Sequence, residues 1–313
     1  MMRLTYVPAI VPGFLVGAGQ AMAEQASTTA VQVTADNFPR AATDAAFANV
    51  IKDGGFGKFF HNRNVTLPGA GRRFMSMQVI TEDEYTPRVI YKSGTYTFTK
   101  AQIGTRYVMM AVRRLVDPHN PADLEEVHRL QDAIKVRQAN AGKFEVPDWD
   151  QASQKKVRDA LLVLGSTLPD SKGMFGAKGQ LDPVRYLIGS ATAWGGNPEK
   201  DAVYLNVTPA KNDGSTIYRL RAKDVPMDAF WSISVCDAQG FCQKNDFDAY
   251  TLNSITAKRD AAHVIDVQFG ACDGKIANCL PITTGWNYMV RRYRPRAEIL
   301  NGKWQFPKAV LAN

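Results

Sequence analysis

The chain has 313 residues, 45% of them apolar and 22% charged, and a formal net charge of +8. That composition excludes a low-complexity or wholly disordered chain and is enough for a sizeable core. The basic residues are spread out, with no basic run and no zinc-finger or RNA-binding signature, so nucleic acid is not an expected partner; solubility, or weak attraction to acidic lipid or glycan, accounts for the charge.

Arg3 is the one charge before Glu24, and the apolar stretch 9–18 that follows it is interrupted by Pro12 and Gly13. The stretch is too short to span a bilayer. Ala21-Met22-Ala23 has the small-x-small pattern of a signal peptidase site. Residues 1–23 are therefore predicted to be a signal peptide cleaved after Ala23, with the mature chain periplasmic or secreted. A buried N-terminal helix is the competing reading, and interior Pro and Gly disfavour it. No other apolar run approaches about 18 residues, so no transmembrane segment is expected in the mature chain.

Residues 24–36 are small and polar and read as a flexible leader. A helix is predicted over 39–52, with Pro39 in its first turn, an apolar stripe of Ala42, Phe47, Val50 and Ile51, and Gly54-Gly55 beyond its end. The period then changes. Segments 74–80, 88–91, 95–98 and 106–112 are rich in β-branched and aromatic residues, with Gly94 and Gly104 as breaks, and suggest an antiparallel meander. Three helices follow, opened by Asn120-Pro121, by Asp150 or Ser153, and by Asp182-Pro183. Strands return at 202–207, 216–222, 229–236, 250–258, 264–269 and 286–293, separated by Gly, Asn and Asp as in a sandwich or barrel. The predicted fold is mainly β with a helical connector (α+β). An N-terminal antiparallel β domain covers 37–118, the connector 119–192, and a C-terminal β-sandwich or jelly-roll-like domain 193–313.

Cys236, Cys242, Cys272 and Cys279 form an even, clustered set, which favours disulfides in an exported chain. Local pairs are expected: Cys236 with Cys242 across a tight hairpin, and Cys272 with Cys279 around a polar loop. A four-cysteine zinc site is the rival, but its usual two-residue spacing is absent.

The runs WGGNPEKDAVYLNVTP (194–209), DAFWSISV (228–235) and CDGKIANCLPITTGWNYMVRRYRPRAEILNGKWQFP (272–307) resemble the C-terminal half of an exported bacterial family built from two domains of unknown function, numbered 1254 and 1214. The N-terminal runs NFPRAATDAAFANVIKDGGFGKFFHNR, GRRFMSMQVITEDEYTPRVIY and GTRYVMMAVRRLVDP resemble the first of these. The resemblance implies two β-rich domains joined by helices and carries no established chemistry. Two departures stand out. The chain is shortened near 63–65, where the family has a polar and aromatic stretch. Cys236 and Cys242 also stand where aromatics are expected, so a disulfide between them would be particular to this chain.

Catalytic motifs are missing. There is no Gly-x-Ser-x-Gly elbow, no His-Glu-x-x-His, no phosphate-binding glycine loop and no Cys-x-x-Cys, and no cofactor or metal signature is evident. The cluster Trp194, Asn197, Asp201 and Tyr204 around Gly195-Gly196 offers stacking faces and hydrogen bonds of the kind a polar-ligand or sugar pocket needs. A structural turn fixing the domain junction would use the same residues. His61 and Arg63, beside the shortened region, could line a pocket. Trp286 and Arg292 share one strand face, where arginine beside an aromatic can bind carboxylate, sulfate or phosphate, or pair internally. His128, near Glu125, is a helix pair or a metal ligand; His119 and His263 look like loop and strand-edge residues. Glu82, Asp83 and Glu84 are acid–base candidates that also suit a solvated turn.

The leading expectation is a hydrolase- or lyase-like enzyme acting on a polar small molecule or glycan at the domain junction. The alternative is a non-catalytic periplasmic binding or assembly module for an anionic or envelope ligand. Sequence leaves the substrate, any cofactor and homo-oligomerisation open.

Overall fold

The computed structural model describes residues 30–52, 63–118, 120–138, 143–238 and 240–312. The predicted signal segment, His61 and His119 lie outside them. Among the described residues no helix is long and apolar enough to cross a membrane.

The fold is mainly β with helices between two β regions, as the alternation of apolar periods implies. The N-terminal region holds two three-stranded sheets rather than one meander. In the first, β1 (Arg63–Leu67) lies between β4 (Gly94–Phe98) and β6 (Lys135–Arg137). In the second, β2 (Met75–Thr81) lies between β3 (Arg88–Ile90) and β5 (Val108–Arg114). The meander fails because β4 leaves its sequence neighbour β3 and pairs with β1. Val65, Leu67, Met77, Val79 and Phe98 fill the space between the sheets.

The helices start where their caps predict. Asn120 and Asp150 accept N–H bonds from the first turns of α3 (Pro121–Asp132) and α4 (Gln151–Gly165), and Asp182 does so for α5 (Pro183–Thr192). Each such cap contributes about 1 kcal/mol. The first helix, α1 (Phe38–Lys52), packs on α4 and α5. Short helices α2 (Lys100–Ile103) and α6 (Ala297–Leu300) were not expected. The expected flexible leader is pinned over its described part. Val31 donates to the Asp148 carbonyl at 2.7 Å and accepts from Asp150, and Val33 is buried with Phe38 and Leu161. Val33 supplies the apolar anchor in the polar leader.

The C-terminal region is a sandwich of two four-stranded sheets. One has the order β10 (Thr251–Asn253), β9 (Trp231–Cys236), β13 (Asn287–Tyr293), β7 (Ala202–Val207). The other has the order β12 (Cys279–Leu280), β11 (Ile265–Phe269), β8 (Tyr218–Ala222), β14 (Val310–Leu311). Pairing is antiparallel except between β11 and β12. Leu220, Ile233, Val267, Phe269, Trp286, Tyr288 and Val290 form the core between the sheets. Burying each aliphatic or phenylalanine side chain there contributes about 1.5–3 kcal/mol.

Candidate functional site

The loop 194–201 links α5 to β7 and touches both β regions. Gly195 has φ +76°, a conformation open to glycine at no steric cost. A Cβ on Gly196 would come within 2.4 Å of the Phe175 ring. The loop can therefore lie flat against the N-terminal sheet. There the Gln78 amide donates to the carbonyls of Gly195 at 3.0 Å and Gly196 at 2.8 Å, and its oxygen accepts from Arg113 at 2.8 Å. Trp194 donates its indole N–H to Thr43 Oγ1 at 2.9 Å and meets Phe47 edge-on.

Glu82 and Glu84 are buried, which overturns the solvated-turn reading. The turn closes through Thr81 N–H to the Tyr85 carbonyl and Glu84 N–H to the Thr81 carbonyl, with Glu84 at φ 64°. That left-handed residue swings the carboxyl inward. Glu84, 3% exposed, accepts from the Gly195 N–H at 3.2 Å through one oxygen, while Oε2 has no partner among the described residues. Burial pushes its pKa up to about 8, against the lowering effects of the Ser190 hydroxyl and the Gly195 N–H. Beside it, Asp44 accepts from the Trp149 indole at 2.9 Å and approaches Glu82, which pairs with Arg40 at 3.2 Å. Arg40 also holds Asp83 at 2.5 Å. Burial, opposed by the Trp149 bond, raises Asp44 to about 7.

The other end of the loop is also engaged. Asn197 donates to the Tyr204 hydroxyl at 2.9 Å. Asp201 accepts from the Tyr91 hydroxyl at 2.8 Å, and its second oxygen is buried without a partner among the described residues. Burial raises the Asp201 pKa, and the Tyr91 bond counters it. The Arg294 guanidinium lies 5.1 Å above the Tyr91 ring, while Phe74, Phe230 and Tyr293 pack beside it. Trp194, Asn197, Asp201 and Tyr204 thus come together, but as a clasp whose polar atoms are largely used inside the protein. Thr43, Gln78 and Tyr91 are its partners, and no local sequence signal marks them.

The remaining candidates lie elsewhere. Arg63 opens β1 opposite Phe98, and His61 lies outside the described residues. Trp286 is fully enclosed, stacked on Phe269, so a ligand has no access to its face. Its strand neighbours turn inward with the alternation, which drives the ring into the core. Arg292 lies on the same strand face near the end of β13, opposite Val203 and Trp231. It is 9% exposed, its Nε has no partner among the described residues, and burial lowers its pKa. The nearby arginines differ. Arg291 donates to Ser234 at 2.7 Å, Arg296 to Asp228 at 2.8 Å, and Arg294 lies over Tyr91. His128 is exposed and His263 adopts φ 62°. Among the described residues no group of three His, Cys, Asp or Glu is placed to hold a metal. Cys272 and Cys279 form the expected disulfide. Cys236 and Cys242, expected to form a second, are free thiols in hydrogen-bond contact.

These features define an α+β protein in which a C-terminal sandwich is clasped to a smaller β region through one glycine-bearing loop. Residues 202–297 match the family described as "Protein of unknown function (DUF1214)". Among solved structures, the chain is similar to the VPA0106 protein from Vibrio parahaemolyticus, with 15% identity and a TM-score of 0.68 over 88% of this chain and 98% of that one. This shared fold spans both β regions. An uncharacterised Burkholderia cenocepacia protein is also similar, at 12% identity and a TM-score of 0.44 over 82% of this chain and 74% of that one. No curated protein matches the sequence.

Proposed function

We propose that this chain is an exported, non-catalytic binding module for an anionic ligand, with Arg292 as its charge-recognising residue. The observation that carries this reading is a guanidinium buried near the end of β13, its Nε without a partner and no acid paired with it among the described residues. An unneutralised buried cation is costly, and a carboxylate, sulfate or phosphate would offset that cost through paired N–H donors. The enzymatic reading has less support, because Asn197, Asp201 and Tyr204 are bonded into the clasp. The signal-like N-terminus and the Cys272–Cys279 disulfide favour an oxidising compartment. On this reading the chain belongs with exported two-domain proteins, a reading supported by the resemblance of its N-terminal runs to domain 1254.

The test is thermal unfolding of the protein and of Arg292→Met and Arg292→Lys with phosphate, sulfate and di- and tricarboxylates. A ligand at about 100 times its Kd stabilises by roughly 2.7 kcal/mol. The expected result is an anion-specific rise that Arg292→Met abolishes and Arg292→Lys weakens. A flat response, or an equal rise in Arg292→Met, refutes the proposal.

A further inference from the structure

β9 ends at Cys236, and the chain reverses at once. The Asp237 N–H donates to the Phe241 carbonyl at 2.8 Å, and the Phe241 N–H returns to Asp237 Oδ1 at 2.9 Å. These bonds close a turn that brings the flanking residues Cys236 and Cys242 together. The two thiols are hydrogen-bonded to each other, Cys236 buried and Cys242 exposed. On the same face of the sheet, two residues along β9, Ser234 holds the Arg291 guanidinium. Cys236 also lines a shallow cleft with Asp237, Gln243, Tyr250 and Pro281.

We propose that Cys236 and Cys242 form a reversible dithiol–disulfide centre that exchanges with a low-molecular-weight disulfide, Cys242 attacking and Cys236 resolving. Each position suits one step. The exposed Cys242 sulfur can reach an incoming disulfide, and the mostly buried Cys236 sulfur beside it can resolve the mixed disulfide. In the first step the Cys242 thiolate attacks one sulfur of the substrate RSSR. A Cys242–S–S–R bond forms, the substrate S–S bond breaks, and RS⁻ leaves as RSH with the proton lost by Cys242. In the second step Cys236 releases its proton to solvent and attacks the Cys242 sulfur, expelling the second RSH. Two protein thiols are oxidised to one disulfide, and one substrate disulfide is reduced to two thiols.

The electrostatics favour this order. The Cys242 thiol is held down to about 6, first by its hydrogen bond with Cys236 and then by Arg291, with burial and Asp237 opposing. The Cys236 thiol is pushed up by sharing that bond and by burial. A thiolate near neutral pH in an accessible place is the mark of a reactive cysteine. The closed Cys272–Cys279 bridge has no thiolate to offer and stays outside the cycle.

The test uses the full chain with Cys272–Cys279 intact, treated with iodoacetamide across pH 5–9 and separately with oxidised glutathione, followed by mass mapping. At pH 6 Cys242 should alkylate about tenfold faster than an ordinary cysteine, the gain in thiolate being partly offset by its lower nucleophilicity. Oxidised glutathione should give an internal Cys236–Cys242 bond that dithiothreitol reopens, and Cys236→Ser should trap glutathione on Cys242. Three results overturn the proposal: Cys242 reactivity equal to that of a free cysteine; glutathione left on Cys242 of the unaltered protein without an internal bond; or a Cys236–Cys242 bond as resistant to dithiothreitol as Cys272–Cys279. The alkylation arm needs no variant, so misfolding of Cys236→Ser leaves the test intact.

Discussion

Tyr91 donates its hydroxyl hydrogen to Asp201 across 2.8 Å, although 110 residues separate them. The bond joins the end of β3 to the loop entering β7. Tyr91→Phe removes the donor and leaves both Asp201 oxygens without a side-chain partner. An unsatisfied buried acceptor costs about 1–3 kcal/mol. Urea unfolding of Tyr91→Phe should show a loss in that range with an unchanged slope.

Glu84 sets a pH dependence of definite sign. Its pKa rises from 4.5 unfolded to about 8 folded, so the folded state binds the extra proton between those values. Stability from this group is fully present below about 4.5, falls as pH rises, and is lost above about 8. Asp44 acts in the same sense between 3.8 and about 7. Glu84→Gln removes the ionisation. Its Tm should fall less than that of the unaltered protein between pH 5 and 8, a comparison made by calorimetry at fixed ionic strength.

Gly196 lies against Phe175, and a methyl group there meets the ring at 2.4 Å. Gly196→Ala should cost about 1–3 kcal/mol through overpacking. Adding Phe175→Leu should recover part of that loss in a double-mutant cycle. Additive losses would show that the two positions do not touch.

Arg114 carries three buried guanidinium nitrogens with no hydrogen-bond partner among the described residues, and burial lowers its pKa, with Arg73 adding repulsion. Removing an uncompensated buried charge from an apolar setting is stabilising by about 1–4 kcal/mol when shape is kept. Arg114→Met should raise the urea midpoint. A fall would mean that the guanidinium has a partner in the folded protein.

Much of the fold could be read from local chemistry. Asn120, Asp150 and Asp182 announced their helices because a cap and its bonded N–H groups lie within three residues. β8 and β13 were legible because their alternation meets one buried face. β6 was not, since Lys135–Arg137 is short and exposed and becomes a strand only by pairing with β1. The same limit governs the site. Trp194 through Tyr204 stand out as unusual residues, yet whether Asp201 greets a ligand or Tyr91 is decided by chain 110 residues away. Glu84 misled for a further reason. Acid-rich turns favour water, and only its left-handed backbone turns the carboxyl inward.

Gln78 binds the Gly195-Gly196 backbone with its nitrogen and Arg113 with its oxygen. Either β region leaving its place would break these bonds and bare the apolar contacts around them, Phe175 against Gly196 among them, to water. The cost falls on both regions at once, so neither gains by melting first. Heating should therefore produce one calorimetric transition across the whole chain, and amides in β2 and β7 should exchange with solvent at a common rate.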